Sequence, residues 1–322
     1  MTLMVERAKV ILRRIVPLPV RMTIRRWWDH LANWCYDRLP DTYVQKSQFK
    51  RRFGRRLNLS SPQTLNEKIH WLMRYYRHPI MTSLADKYAV RDYVTHKIGH
   101  EFLNDLYGVW DDPAAIPFET LPESFVLKVT WGSGQNILCR SKSQLDVPTT
   151  QAQLAKWMKR SEYWVVREWA YKNIPPKVIC ERYLTDEAGN VPTDYKFFCF
   201  NGEPRFVQVV TGRFSNDHRR HLFDLAWTPL PFSIKYPPIK NQPSAYPPHQ
   251  EQLPKPSKFE AMIAAARALS NDLSLVRVDL YCIGGTRICF GEMTLYPEGG
   301  LIRFVPDSVD LSLGQVLTLP QP

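Results

Sequence analysis

The sequence predicts an α+β protein, with helices in its first third and antiparallel strands in most of the rest. Two pairs of apolar segments are joined by the short turns Asn201-Gly202 and Gly284-Gly285, which is typical of β-hairpins. Before residue 110, apolar residues recur instead at helical spacing. With 322 residues, 44% of them hydrophobic and 23% charged, the chain has the composition of a globular protein. This length allows one large core or roughly two to three smaller subdomains.

Residues 1–60 carry most of the net positive charge. They contain 14 Lys and Arg residues against 4 Asp and Glu, a net of +10, whereas the other 262 residues contain 29 against 27, a net of +2. We therefore predict that residues 1–60 form a basic amphipathic N-terminal arm on a nearly neutral body. A body that binds nucleic acid would carry a basic face of its own, so no nucleic-acid partner is expected.

The arm contains two amphipathic helical segments, 4–16 and 21–39, followed by a Lys/Arg cluster at 50–56. Neither segment has the roughly 18 consecutive apolar residues needed to cross a bilayer. Arg13-Arg14 also interrupts the first segment, which argues against a signal peptide. Tryptophan and arginine on amphipathic helices favour binding of residues 1–56 to an anionic membrane surface. The alternative is that these helices dock on the body and leave their basic faces in solvent.

The cysteine pattern indicates a reducing compartment. None of the six cysteines forms a Cys-x-x-Cys pair, and most lie in apolar, strand-like runs where a free thiol behaves as a small hydrophobic group. We therefore expect a cytoplasmic protein without disulfides and without a zinc site. His218 and His221 have the spacing of two metal ligands, but we interpret the segment around them as a solvated loop.

Residues 61–120 are expected to form the helical N-terminal region of the body. Thr64 is followed three residues later by Glu67, which is the pattern of a capping box at a helix start. A second helix is predicted to open at Leu84, to include Lys87 and to end near Gly99.

Residues 121–184 change to strand character. A strand at 125–129 contains Lys128 and leads into a Gly/Ser turn at 131–136 and a return strand at 137–140. Successive backbone N–H groups in such a turn can bind an anion, and Lys128 lies at the mouth of the turn. The alternative is a turn that only connects a hairpin. A further strand, 178–180, leads directly into Glu181.

Residues 185–315 contain both predicted hairpins. Between them lies a proline-rich stretch, 228–257, whose nine prolines predict an exposed, partly extended loop. An alanine-rich helix at 259–269 precedes the second hairpin, whose strands are predicted at 275–282 and 287–291.

The second hairpin carries a cluster of charged residues. Arg277 and Asp279 are two residues apart and therefore share a face of the first strand, and Glu292 and Thr294 do the same at the end of the second. Strand pairing can bring Asp279, Glu292 and an arginine onto one wall. Two carboxylates beside a permanent cation suit Mg²⁺ carrying a polyphosphate. The alternative is an ordinary hairpin with its polar groups in water.

Six motifs in order resemble the TupA-like family of the ATP-grasp superfamily, a family of polysaccharide-biosynthesis proteins. They are LNEKIHWL, LADKYAVRDYV, FVLKVTWGSGQNI, DYKFFCFNGEP, VRVDLY and FGEMTLYPEGG, and they span about residues 62–310. The resemblance implies an ATP-grasp fold, in which two α+β lobes grip ATP. Residues 121–184 then form the small lobe with its glycine loop, and residues 185–315 form the C-terminal lobe.

The resemblance also implies roles for individual residues. Lys87 and Lys128 are expected to contact the phosphates of ATP, under a flexible loop formed by Gly132, Ser133 and Gly134. The hinge between the lobes, which reads adenine through its backbone and ribose through a carboxylate, corresponds to Glu181, Arg182, Tyr183 and Leu184. Lys196 is expected to be a further nucleotide contact.

The same resemblance assigns the catalytic and metal positions. Arg277 is expected to stabilise the phosphoryl group in transfer, together with Lys128, while Asp279 and Glu292 hold Mg²⁺. Thr294 stands where the superfamily usually has asparagine, and its hydroxyl can also ligate Mg²⁺. The number of metal ions is therefore left open.

We hypothesise an ATP-dependent carboxylate–amine ligase that forms an acyl phosphate and then an amide. The family resemblance suggests a carboxylate on an acidic cell-surface polysaccharide, such as a capsule, teichuronopeptide-like or O-antigen glycan, and an amine donor. Arg213, His218, Arg219 and Arg303 are candidates for holding the anionic acceptor, although solvated loop charges explain them equally well. The arm would place the protein at the inner face of the bacterial plasma membrane, where lipid-linked glycans are assembled.

Two other function classes remain open at this point. A glycosyltransferase of the same pathway is one, although many such enzymes use an Asp-x-Asp metal motif that this sequence lacks. A non-catalytic membrane scaffold is the other, and the intact charged motifs argue against it. The sequence also lacks a Walker A loop, a Gly-x-Gly-x-x-Gly fingerprint and a Gly-x-Ser-x-Gly elbow.

Overall fold

The computed structural model describes residues 34–159, 161–213, 218–235 and 253–321. Eight α-helices and eleven strands lie wholly within these ranges. The helices are α1 Asp41–Phe53, α2 Leu65–Tyr75, α3 Ile80–Ala85, α4 Val90–Ile98, α5 Val147–Met158, α6 Tyr163–Val166, α7 Phe259–Ser270 and α8 Ser308–Val316. The strands are β1 Leu106–Trp110, β2 Phe125–Val129, β3 Asn136–Cys139, β4 Val178–Arg182, β5 Asp194–Phe200, β6 Glu203–Thr211, β7 Arg219–Asp224, β8 Ser233–Lys235, β9 Leu275–Ile283, β10 Arg287–Thr294 and β11 Arg303–Val305.

The first sheet has four antiparallel strands in the order β1-β4-β2-β3. Phe125, Leu127 and Val129 of β2 are fully buried and pack with Leu154 of α5 in a core of their own. Lys128 alternates with these residues, so that its side chain points to the opposite face of the sheet. The Gly/Ser turn joins β2 to β3 at the edge of this sheet, as the sequence predicts.

The second sheet has five antiparallel strands in the order β10-β9-β5-β6-β7. Both predicted hairpins are present, as β5–β6 around Asn201-Gly202 and as β9–β10 around Gly284-Gly285. One face of the sheet packs against α7, whose Phe259, Met262 and Ala266 are fully buried. The separate hydrophobic clusters behind the two sheets give the two-lobed α+β architecture that the sequence predicts.

A β-bulge at Gly291 determines which way Glu292 faces. Before the bulge, Phe290 pairs with Leu280 on the apolar face of the hairpin; after it, Glu292 pairs with Asp279. The extra residue shifts the alternation by one position, so that Glu292 joins Asp279 on the polar face.

Helix α2 begins as the sequence predicts. The Thr64 hydroxyl accepts a hydrogen bond from the Glu67 N–H, and the Glu67 carboxylate accepts one from the Thr64 N–H, which completes the capping box. Asn66 then exchanges two hydrogen bonds with the backbone of Ile302, at 2.9 and 2.8 Å. These bonds tie the helix to the C-terminal end of the second lobe.

Three local predictions are wrong: the helix through Lys87, the solvated loop around His221 and the exposed loop at 228–257. Lys87 lies in a turn and not in a helix, because the Asp86 carboxylate accepts the N–H groups of Tyr88 and Ala89, so α4 begins only at Val90. His221 lies buried in strand β7, not in a solvated loop.

The predicted proline-rich loop contains a strand. Residues 233–235 form β8, which pairs with β11 and buries Ile234 in the core. Residues 236–252 of this stretch lie outside the described residues.

The second half of the predicted arm packs on the body. Phe49 of α1 is fully buried, and Leu57 and Leu59 are buried beside it. Arg55 forms an ion pair with Glu67, and Arg52 Nε donates to the backbone oxygen of Leu301 at 3.1 Å. Residues 1–33 lie outside the described residues. They include the whole of the first predicted amphipathic segment, 4–16, and the second segment up to residue 33. In the part that is described, no helix is both long and apolar enough to cross a membrane.

Candidate functional site

A cavity lies between the two sheets, and we call it the first cavity. Its walls come from β2, β3 and β4 of the first sheet and from β5, β9 and β10 of the second. All ten residues that the sequence analysis assigns to nucleotide contact line it, from Lys87 to Lys196, together with Asp279 and Glu292. Residues that are up to 205 positions apart in the chain are therefore brought into one cleft.

Two lysines approach the first cavity from the side of the small lobe. Lys87 Nζ donates to the Gly132 carbonyl at 2.6 Å and so holds the glycine turn in place. Burial lowers the pKa of Lys87 to about 8, although the negative charge of Glu292 acts in the opposite direction. Gly132 and Gly134 have φ values of +73° and +79°, which glycine adopts without strain.

The second lysine is held by Glu181, which lies in the predicted hinge. Lys128 Nζ donates to Glu181 Oε2 at 2.6 Å, and Arg91 donates to Glu181 Oε1 at 3.0 Å. The Glu181 carboxylate therefore serves to position two cations. The backbone of Arg182 is bonded to residues 104–105, because its N–H donates to Asp105 and its carbonyl accepts from the Asn104 side chain.

On the opposite wall, Arg277 clamps two carboxylates. Its Nε and one terminal nitrogen donate to Asp279 at 2.7 and 2.8 Å, and the same terminal nitrogen donates to Glu292 at 3.0 Å. Burial would raise the pKa of Glu292, but the positive charges of Arg277 and Lys196 outweigh burial and lower it to about 2. Burial prevails at Asp279 and raises its pKa to about 6.

Asp194 is a site residue that the sequence analysis missed. It is fully buried, and its Oδ2 forms an ion pair with Lys196 at 2.7 Å and accepts a hydrogen bond from Arg213 at 3.2 Å. Its other oxygen, Oδ1, has no hydrogen-bond partner in the described residues. The available signal was the position of Asp194 two residues before Lys196, which places both side chains on one face of β5.

A second cavity, of about 380 Å³, adjoins the first. The two share five residues, which are Ser133, Asp194, Lys196, Arg213 and Glu292. Of the residues predicted for catalysis and for the metal, Arg277, Glu292 and Thr294 line this cavity.

Two of the four predicted acceptor residues reach the second cavity. Arg213 and His218 line it, whereas Arg219 and Arg303 are not among the residues that line either cavity. Arg303 is exposed on β11 and donates to the backbone oxygen of Arg52 at 3.0 Å. Arg220 lines the cavity instead of Arg219, because neighbouring residues of a strand point to opposite faces.

A model of the TupA-like ATP-grasp family matches residues 67–318. The chain belongs to this family. The match covers the two lobes and begins after α1, so that the described part of the N-terminal arm lies outside it. The predicted family and the predicted ATP-grasp fold are thereby confirmed.

Solved structures with a similar course of the chain include a synthetase and two ligases. An N5-carboxyaminoimidazole ribonucleotide synthetase with ADP is 13% identical, with 71% of this chain and 50% of that chain covered and a TM-score of 0.42. The D-alanine–D-alanine ligase of Bacillus anthracis is 12% identical, with 66% and 56% covered and a TM-score of 0.36. The ligase PsnB with its precursor peptide PsnA2 and AMPPNP is 10% identical, with 68% and 51% covered and a TM-score of 0.35.

The chain thus spans about half the length of these structures. A comparison with curated proteins gives no match.

The residues of this family member fit a nucleotide with Mg²⁺. Asp279 and Glu292 face each other across the β9–β10 ladder, and the buried Asp194 Oδ1 is an oxygen in need of a partner. Among the described residues, no group of three or more His, Cys, Asp or Glu side chains could hold a metal ion. Mg²⁺ usually takes one or two carboxylates and completes its shell with phosphate oxygens and water, so two carboxylates are sufficient.

Proposed function

We propose that this protein is an ATP-dependent carboxylate–amine ligase. The observation that carries the proposal is the shared boundary of the two cavities, which have five lining residues in common. The first has two lysines, a glycine turn and a hinge at one end, and the second opens beyond Lys196, Arg213 and Glu292. A phosphoryl group at this junction would have a nucleotide on one side and room for an acceptor on the other.

For nucleotide binding, Lys87 and Lys128 supply the positive charge, and the turn at Gly132–Gly134 supplies backbone N–H groups for phosphate oxygens. The hinge residues Tyr183 and Leu184 face the adenine through their backbone. Phosphoryl transfer needs little more from a protein than positioning and charge neutralisation, and this cavity provides both.

For the transfer itself, Arg277 lies where negative charge develops on the phosphoryl group. An oxygen of the acceptor carboxylate attacks the γ-phosphorus, ADP leaves, and an acyl phosphate remains. Bound Mg²⁺ would neutralise phosphate charge, and Asp279 and Glu292, with Thr294 beside them, are the residues that would hold it. Arg213 and Arg220 are suited to hold the acceptor carboxylate, because guanidinium groups bind carboxylates with two parallel hydrogen bonds.

The acceptor that we propose is a carboxylate on an acidic cell-surface glycan, joined by an amide to an amine. The TupA-like family assignment and the cationic side chains of the second cavity support this choice. A membrane-associated location would bring the enzyme to lipid-linked glycans.

The test of the nucleotide site is a thermal-shift measurement with ATP and Mg²⁺ against ATP and a chelator. A ligand that binds only the folded chain at about 100 times its dissociation constant stabilises that chain by about 2.7 kcal/mol. We expect a Mg²⁺-dependent rise of the melting midpoint that shrinks in Glu292→Gln. No rise with ATP but a rise with a UDP-sugar would exclude the ligase and favour a glycosyltransferase.

A matched pair of lysine variants separates nucleotide binding from a general loss of charge. Lys128→Met should abolish most of the ATP-dependent rise. Lys177→Met removes a lysine of the same lobe that lies outside both cavities and pairs with Asp111 at 2.8 Å. The proposal is excluded if both variants respond to ATP as the wild type does.

We also propose that the arm attaches the enzyme to an anionic membrane surface. The support is the charge of residues 1–60 and the exposed face of α1, which presents Tyr43, Lys46, Lys50 and Arg51 to solvent. Sedimentation of the full-length protein with vesicles is the test. Binding to vesicles with anionic lipid at low salt, but not to neutral ones, is expected. Failure to bind anionic vesicles excludes the attachment.

A further inference from the structure

The second cavity has two walls of opposite charge. One wall comes from the second sheet and the residues just after β6, and we call it the cationic wall because its cations outnumber its carboxylates. Its charged residues are Lys196, Arg213, Arg220 and Arg277, with the carboxylates Asp194 and Glu292 between them. The facing wall, which we call the acidic wall, consists of Glu162, Glu168 and Glu298. Glu162 and Glu168 lie in the segment between α5 and β4, and Glu298 lies in the turn Pro297–Gly300.

Glu168 is the unusual member of the acidic wall. Its side chain is directed into the cavity, yet the residue is only 8% exposed. Within the described residues the Glu168 carboxylate has neither a hydrogen bond nor an ion pair. The backbone oxygen of Glu168 accepts a hydrogen bond from the Tyr171 N–H. A Cβ on Gly299 would stand 3.5 Å from Glu168 Oε1, so the turn packs closely against this carboxylate.

A largely buried carboxylate without a protein partner is unfavourable for the fold, because it keeps only the hydration that the cavity allows and gains no hydrogen bond from the chain. Burial and the negative charges of Glu162 and Glu298 raise the pKa of Glu168 to about 8, and the more weakly acting Arg277 lowers it. Such a group has a high affinity for a proton or a cation. The natural occupant of this position is therefore positively charged.

We propose that the acidic wall binds the amine substrate as an ammonium ion, with Glu168 in contact with its nitrogen. This inference rests on the proposed ligase function and adds the orientation of its substrates. The carboxylate, as its acyl phosphate, lies against the cationic wall, and the amine approaches from the acidic wall. The amine substrate is accordingly a primary amine that is protonated at neutral pH.

Amide formation in this arrangement removes two protons from the nitrogen. One proton of the ammonium ion passes to the Glu168 carboxylate, and the nitrogen lone pair attacks the acyl carbon. The bond between that carbon and the phosphate oxygen breaks, and its electron pair leaves with the phosphate. The second nitrogen proton goes to the phosphate, which departs as HPO₄²⁻, and an amide remains. A base with a pKa close to the working pH is well suited to the first step.

The experiment uses the full-length protein with Mg²⁺ and AMPPNP in a thermal-shift titration. The probes are methylammonium, L-lysine and D-glucosamine, with N-acetyl-D-glucosamine as the matched neutral compound. The variant is Glu168→Gln, which removes the charge and keeps the shape. The control is Glu260→Gln, because Glu260 is exposed and pairs with Lys255 at 2.7 Å outside both cavities.

We expect at least one cationic amine to stabilise the wild type and Glu260→Gln, and N-acetyl-D-glucosamine to have no effect. In Glu168→Gln the amine should bind about tenfold more weakly or worse, which corresponds to about 1.4 kcal/mol. The shift with Mg²⁺ and AMPPNP should be unchanged. Without ligand at neutral pH, Glu168→Gln should melt at about the same temperature, because the raised pKa keeps Glu168 mostly protonated and glutamine has the same shape without a charge.

The inference is overturned if AMPPNP stabilises the wild type but none of the cationic amines does, or if Glu168→Gln binds the amine as well as the wild type. A wild type that does not respond to AMPPNP overturns the ligase proposal itself. If Glu168→Gln does not fold, Glu298→Gln replaces it, since Glu298 is exposed on its turn and should also weaken amine binding.

Discussion

Arg277→Met should destabilise the protein strongly, because the variant leaves two carboxylates of one wall without their shared partner. The Arg277 side chain is 10% exposed and makes three short contacts, two to Asp279 and one to Glu292, at 2.7 to 3.0 Å. Removal of one partner of a buried ion pair typically costs about 3–5 kcal/mol, since the other charge stays buried and unpaired. Lys196 still pairs with Asp279, so we expect about 3 kcal/mol.

The assay is urea unfolding of matched variants at neutral pH. Arg267→Met is the control, because Arg267 pairs with Glu203 at 2.8 Å but the two side chains are 47% and 49% exposed. An exposed pair of this kind contributes at most about 1 kcal/mol. Asp279→Asn added to Arg277→Met should recover part of the loss, because it removes one of the unpaired charges.

The reasoning is refuted if Arg277→Met loses no more stability than Arg267→Met. It is also refuted if Asp279→Asn destabilises the Arg277→Met variant by as much as it destabilises the wild type. That result would mean that the arginine and the aspartate act independently, whereas contacting charges should show a coupling energy.

Three further outcomes are expected. Thr64→Ala should lower the free energy of unfolding by about 0.5–2 kcal/mol in urea titrations, because it removes the cap of α2 that pairs with Glu67. Gly291→Ala should weaken the Mg²⁺-dependent ATP shift, because a Cβ there would stand 3.0 Å from the Asp279 carbonyl and would displace the bulge. Glu292 contributes stability through its lowered pKa. This stability is present above about pH 4.5 and is lost as the pH falls towards 2. The difference in stability between the wild type and Glu292→Gln should therefore shrink over that interval.

Sequence patterns that act over a few residues predicted much of this fold. The Asn201-Gly202 turn, the Gly284-Gly285 turn and the capping box at Thr64 each depend on neighbours within about four residues, and each is present. The prediction of a helix through Lys87 failed for an equally local reason. Asp86 offers its carboxylate to the backbone, and this bond competes with a helical hydrogen bond.

The acidic wall could not be predicted, because it depends on contacts between distant segments. Glu162 and Glu168 precede the hinge by more than ten positions, and nothing in their spacing distinguishes them from solvated glutamates. Glu168 is buried where the distant turn of Gly299 packs against this segment. Arg220 was missed for a related reason, since the choice between Arg219 and Arg220 depends on which face of β7 meets the cavity.

The second sheet shows why the core and the site impose a single constraint on this sequence. Lys196, Asp279 and Glu292 lie opposite one another on three neighbouring strands, and Phe197, Val278 and Met293 follow them in the next row, buried in the core. A slip of one residue in any strand would exchange these rows and place charges among the apolar side chains. The bulge at Gly291 is the one irregularity that the arrangement needs, since strict alternation from Phe290 would turn Glu292 into the core. The hydrophobic effect that fixes the register of the sheet therefore also fixes which charged groups of the three strands lie opposite one another, and the ion pairs of Arg277 and Lys196 then hold their side chains together.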